Sequence, residues 1–394
     1  MRLKSFIGLT VVTAVVVAGA IYEQSSTAST TRVAAGEKLF ADLGSELNTV
    51  ARIEVSEHDK SFTVMRNGDQ WTLRERGGYR VDPDVIKRVL SALVEMQTVE
   101  PKTDKPASYP RIQVEDVAAK DAKSVQIVLK DTAGKDLARL IVGKTRESKT
   151  GAAANRLYVR RPGEAQSWLV KTTLAVEKDP VRWLDRKIVD IGRDRVSRIA
   201  ASQPDGGRLL LVKDKMGDDG KFEMKSPVPA GMKPKAPVEL GGPASALSSL
   251  EFDDVKPVAE IDFGKKPVGE AEFRTFDGLV VSIKMSEVDG NVWALVNASV
   301  DEAARPKEAE AAKPETAKKD EAAKPGETKP AGDKSAEKKP EDEKKPALKS
   351  LDDVKKEAAA INARVQGWAY KLPSFAVNQF QTKTADMVEK EKSS

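Results

Sequence analysis

The chain contains no cysteine and only one histidine, His58, among its 394 residues. Without thiols there is no disulfide, no thiolate zinc site, no iron–sulfur cluster and no cysteine nucleophile. One imidazole leaves no two-histidine metal site within the chain. Aromatic residues are scarce, at 5%. Gly-rich phosphate loops, a GxSxG elbow and a dinucleotide fingerprint are all missing. The pairs Gly77-Gly78 and Gly241-Gly242 read as short loops. The net charge of +5 is spread thinly, and Arg2 and Lys4 supply part of it at the amino terminus. No basic block with interleaved aromatics stands out, so nucleic acid is not an expected partner. These absences point to a protein that is not an enzyme and carries no cofactor.

The most distinctive run lies near the start. Phe6 to Tyr22 carries no charge and follows Arg2 and Lys4. Such a segment partitions into a bilayer, because ionised side chains are costly in hydrocarbon and Val, Ile and Leu are favoured there. As a helix it would rise about 25 Å, at the short limit for a hydrocarbon core of about 30 Å. Flanking basic residues keep the amino terminus cytoplasmic, which places the rest outside. The expectation is a single-pass membrane protein anchored by residues 6–22, with its bulk outside the cytoplasm. Ala18-Gly19-Ala20 also fits a small-x-small cleavage site, so secretion after cleavage near Ala20 is the alternative. Residues 1–22 are thus anchor or signal, and the small polar stretch 23–36 reads as a tether.

The remainder reads as one unit used twice. Val50-Ala51-Arg52-Ile53 recurs as Val196-Ser197-Arg198-Ile199, and the turns at Asp131 and Asp277 keep the same spacing. Alternating residues around Asn67-Gly68-Asp69 and around Gly217–Gly220 carry the hairpin signature. Asp82-Pro83 opens a helix whose Val85, Ile86, Val89, Leu90 and Leu93 fall on one face. A weaker helix is expected from Pro243, carrying Ala246, Leu247 and Leu250. The predicted fold class is α+β: an N-terminal transmembrane helix, then two antiparallel-sheet-plus-helix units that look like an internal duplication. Their expected bounds are 37–192 and 193–394. An insertion at 303–346, rich in Lys, Glu, Pro and Ala, interrupts the second unit. It holds no Val, Ile, Leu or aromatic residue, so it is expected to be disordered. Order is expected to resume with a helix over Leu351–Val365 and a closing strand in Gly367–Pro373.

Candidate chemical groups are few. Ser56-Glu57-His58-Asp59 holds the residue types of a triad, but neighbours in one turn diverge where a triad must converge, so His58 reads as an exposed turn residue. Ser335–Lys338 matches Ser-x-x-Lys inside the low-complexity stretch, where no geometry could be held. Asp218-Asp219 and Asp253-Asp254 look like turn acids, and Asp352-Asp353 suits a helix start. Of the five tryptophans, four sit on predicted strands as core residues do. Trp183 is the one offered as a surface-binding residue.

The strand Val50–Ile53 leading to Gly68–Leu73, the helix after Asp82-Pro83, Trp183–Lys187 and the closing Gly367–Pro373 together carry a family resemblance. The chain resembles an uncharacterised bacterial family of membrane-anchored periplasmic proteins, often encoded beside gliding-motility-type ABC transporter subunits. The resemblance implies an accessory role with transporter permease and ATPase subunits as partners. It implies no catalytic residues. A periplasmic module binding glycan or another envelope polymer is the alternative.

Overall fold

The computed structural model describes residues 36–146, 156–305 and 348–391. The fold is mixed α/β, mostly antiparallel sheet with few helices. The apolar run 6–22 and nearly all of the 303–346 insertion lie outside the described residues. Among the described residues no helix is long and apolar enough to cross a membrane. The chain divides into two compact units, one holding the residues up to Trp71 and Pro83–Lys178, the other Thr72–Asp82 and everything from Asp179.

In the first unit, β1 (Val50–Ser56) and β2 (Ser61–Asn67) form a hairpin with Ile53 opposite Val64 and Val55 opposite Phe62. All four side chains are buried, as period-two alternation requires. Gly68, at φ 60°, supplies the left-handed residue that turns the chain into β3 (Gln70–Leu73). That strand straddles the division, and β4 (Tyr79–Arg80) belongs to the second unit. The Pro83–Val94 helix follows, with Val85, Ile86, Val89 and Leu93 buried. Then come β5 (Gln97–Pro101), β6 (Val125–Asp131), β7 (Asp136–Arg146), β8 (Arg156–Arg160) and β9 (Ser167–Lys171). The strands of this unit lie in the order β2–β1–β6–β7–β8–β9–β5.

The second unit contributes β10 (Lys187–Val189), β11 (Val196–Ser202), β12 (Arg208–Lys213), β13 (Phe222–Met224) and β14 (Met232–Pro234). It continues with β15 (Leu250–Glu251), β16 (Asp254–Pro257), β17 (Pro267–Thr275), β18 (Leu279–Val288) and β19 (Asn291–Val300). β20 (Trp368–Lys371) and β21 (Val388–Lys390) come last. The main sheet runs β13–β12–β11–β17–β18–β19–β20–β16, so the order β2–β1–β6–β7–β8–β9–β5 reappears strand for strand. The register repeats too: Ile53 faces Leu129 as Ile199 faces Phe273, and both pairings carry a bulge just after the first residue, at Val50/Arg52 and Val196/Arg198. By register the counterpart of Asp131 is Thr275, so the matching spacing of Asp131 and Asp277 does not mark equivalent positions.

The Leu351–Val365 helix forms between β19 and β20. Ser350 caps its first turn by accepting from the Asp353 amide, and Val354, Ala358, Ile361 and Val365 are buried. Asn362 brackets Ala298, accepting from its amide at 2.8 Å and donating to its carbonyl at 2.7 Å. Arg195 fastens the helix further, binding Asp277 at 2.9 Å and Glu357 at 3.0 Å. Burial pushes the Glu357 carboxyl up, but hydrogen bonds from Arg195 and Lys349 outweigh it and hold the group below the usual carboxylate range.

Three expectations need correction. The helix foreseen from Pro243 is a 3₁₀ helix, Gly242–Leu247, and Leu250 already belongs to β15. The preceding Gly-Gly pair and the proline leave too little chain of helical propensity to propagate an α-helix. The foreseen break at 192/193 falls instead at 178/179, because β10 pairs with β15 and Trp183 is buried, and residues 72–82 also join the second unit. Residues 303–305 are ordered: Asp301 caps the Glu302–Ala304 turn, and Arg305 donates to the Asp277 carbonyl at 2.6 Å and to the Lys349 carbonyl at 3.0 Å.

Candidate functional site

Each sheet has an outer face, and the two faces end differently. In the first unit the connection from β5 to β6 spans 102–124 and folds back over the sheet. Tyr109 and Val114 pack on Ile141, with Ile112 and Tyr158 alongside. Arg160, only 3% exposed, clamps this cover. Its Nε donates to the Val114 carbonyl at 2.8 Å, one Nη reaches Asp116 at 2.7 Å, and its guanidinium lies 4.6 Å from the centre of the Tyr109 ring. Backbone approach is so close that a Cβ on Gly143 would stand 2.3 Å from the Ile112 carbonyl oxygen.

In the second unit the corresponding connection spans only 258–266. It covers one end of the face, where Ile261 joins Trp293 and Ala369 in a small apolar cluster. Ser286, in the place of Gly143, donates to the Lys266 carbonyl at 2.8 Å. Beyond that point the face lies open as a trough of about 640 Å³ across β12, β11, β17, β18 and β19. One row of paired residues shows the difference. Ser56, Gln126, Ile141 and Arg160 cross the first sheet, and Ser202, Glu270, Lys284 and Leu295 cross the second at the same places. Ile141 is fully buried, whereas Lys284 is exposed.

The trough has an apolar floor of Ala200, Leu210 and Leu295, interspersed with Ser202, Ser282 and Asn297. Its acids are engaged: Glu272 accepts from Arg274 Nε at 2.7 Å, and Glu270 lies 3.9 Å from the Lys284 ammonium. The hydrogen bond to Glu272 holds Arg274 protonated above its ordinary value, and Asp301 binds the same guanidinium. Arg198 and Arg208 are different. Neither has a carboxylate partner among the described residues, and Arg198 Nε is buried without a hydrogen bond. A buried donor left unpaired costs about 1–3 kcal/mol.

The residues singled out in the sequence lie elsewhere. Trp183 is fully buried and therefore is not a surface ring; the Pro180–Trp183 turn, capped by Asp179, carries it into the core. His58 is an exposed turn residue, its Nδ1 3.3 Å from the Val117 carbonyl. Asp254 is no turn acid: it begins β16 and binds Arg76 at 2.6 Å. Asp352 and Asp353 do sit in the first turn of a helix. Ser335–Lys338 lies outside the described residues. Among the described residues no three His, Asp or Glu side chains converge as a metal site requires.

A second constellation in the same unit is packed solid. Tyr79 is fully buried, with the Phe252 ring 5.3 Å away, the Trp368 ring 4.8 Å away, and the Arg80 guanidinium 4.8 Å over its face. Burial, with Tyr370 beside it, pushes the Tyr79 hydroxyl far up. Arg80 binds Asp185 at 2.8 Å and the Arg364 carbonyl at 2.9 Å. These contacts anchor β4 in the second unit. A comparison with curated proteins found no match. Residues 71–267, half of the chain, match the family model described as Domain of unknown function (DUF4340), and the chain belongs to that family.

Proposed function

We propose that this is a non-catalytic accessory protein of the bacterial envelope, held at the inner membrane by residues 6–22 with its bulk in the periplasm, and working with the permease and ATPase subunits of an ABC transporter. The observation that supports a docking role is the open face of the second unit, where Arg198 and Arg208 stand without carboxylate partners. In the first unit the 102–124 connection covers the β7–β8 part of this face, while Arg52, at the place of Arg198, lies 3.6 Å from Glu54 and so has the carboxylate partner that Arg198 lacks. Shared strand order, register and bulge support descent of both units from one duplicated α+β unit. The glycan-binding alternative loses support, since among the described residues no aromatic side chain lines the trough, and Trp183 is buried.

Crosslinking in native membranes, followed by pull-down of the full-length protein and mass spectrometry, tests this. Recovery of ABC permease and ATPase subunits is expected. Recovery of envelope polymer without them would overturn the transporter role. Exchanging residues 1–22 for a cleavable signal should abolish function and leave folding intact; full activity of the released protein would refute the need for an anchor.

A further inference from the structure

Resting on the reading of this face as a docking surface, we infer that the trough receives an extended acidic segment of a partner polypeptide. Its uncompensated charges are both positive. Glu272 and Glu270 face Arg274 and Lys284, which leaves Arg198 and Arg208 for a ligand. Complementary charge is what fixes register at such surfaces. Spacing narrows the class. Ser202 pairs with Arg208 across β11 and β12, and Arg198 lies four positions back along β11. At about 3.3 Å per residue and 4.8 Å between strands, the two arginine positions stand roughly 14 Å apart. That is the span between carboxylates four residues apart on an extended chain.

The floor agrees. Ala200, Leu210 and Leu295 suit aliphatic side chains, while Ser202, Ser282 and Asn297 offer hydrogen bonds to a peptide backbone. A small molecule is normally enclosed on most sides, with some 70–90% of its surface buried. This site is an open trough across five strands. Sugar rings favour aromatic platforms, and none lines the trough among the described residues.

The test uses the full-length protein in detergent and fluorescence anisotropy. The probe is a fluorescein-labelled, end-capped Glu-Val-Ser-Val-Glu peptide, compared with its Gln-Val-Ser-Val-Gln analogue and an oligogalacturonate. Saturable binding of the acidic peptide is expected. It should weaken about tenfold or more for the Gln analogue and for the R198A/R208A variant, and persist largely in R198K/R208K. Thermal unfolding of each variant verifies that it is folded. Equal binding of the Gln peptide, undiminished binding by R198A/R208A, preference for the oligogalacturonate, or no saturable binding would each overturn the inference. The two readings fail separately. If R198E/R208E still recovers transporter subunits from membranes and wild-type anisotropy stays flat, the accessory role stands and the trough assignment falls. If wild type binds the peptide through its carboxylates but recovers no such subunits, the reverse holds.

Discussion

Two sheets with one strand order carry opposite outer faces. In the first unit the 102–124 connection lies across the sheet, and Ile141, Tyr109 and Val114 form a buried satellite core under the Arg160 clamp. In the second, the 258–266 connection stops short and Lys284 occupies the place of Ile141. The lesson is that connection length and a few face residues decide whether a sheet is scaffold or surface. The same backbone pairing serves both.

Exchanging the residues at that one position breaks the comparison most sharply. Ile141→Lys places an ammonium in a fully buried apolar cluster, and denaturant unfolding should show a loss of about 3–5 kcal/mol. The reverse exchange, Lys284→Ile, should change stability by no more than about 0.5 kcal/mol. Similar losses at both sites would mean that the second face is also covered. Arg160→Ala comes next. It removes three charge-assisted bonds and a ring contact, so about 2–4 kcal/mol should be lost. Hydrogen exchange should rise first over 102–124, and unchanged protection there would refute the clamp.

Acid should sharpen the contrast between the units. The Glu357 carboxyl titrates lower in the folded chain than in the unfolded one. Its contribution is therefore fully present above the unfolded value, about pH 4.3, and is lost as pH falls through the lower folded value. Hydrogen exchange over Leu351–Val365 should increase in that window. In Glu357→Gln the helix should already be looser at neutral pH, with a flatter acid response. An identical pH profile in variant and wild type would count against the Arg195 anchor.

Much of this architecture is legible in local pattern. The β2–β3 hairpin follows from alternation around Asn67-Gly68, and the Pro83–Val94 helix from its cap and apolar stripe. Long-range packing is less accessible. Nothing local to Tyr79 tells that its ring is buried against Phe252 and Trp368, far along the chain. The trough escaped notice because openness depends on what crosses the strands. A signal was nonetheless present: Leu140-Ile141-Val142 is continuously apolar, as a strand buried on both faces is, whereas Ser282 and Lys284 alternate with buried Val281, Ile283 and Met285. Trp183 misled for the opposite reason, because a charged neighbourhood in sequence surrounds a ring that turns inward.

The smallest expected effect concerns the contact between Arg305 and Lys349. Their hydrogen bond at 3.0 Å brings the two ends of the 306–347 stretch together, independently of what lies between them. The entropy of closing a chain already pinned at its mouth varies only with the logarithm of its length, about 0.6 kcal/mol per doubling. Removing 306–347 and joining the ends with a short Gly-Ser bridge should leave thermal unfolding within a few degrees of wild type, and a large drop would show that the stretch packs. The clasp therefore acts as a docking port for sequence itself: a place where evolution, or an experimenter attaching a fluorophore or affinity tag, can lengthen the protein without rewriting its fold.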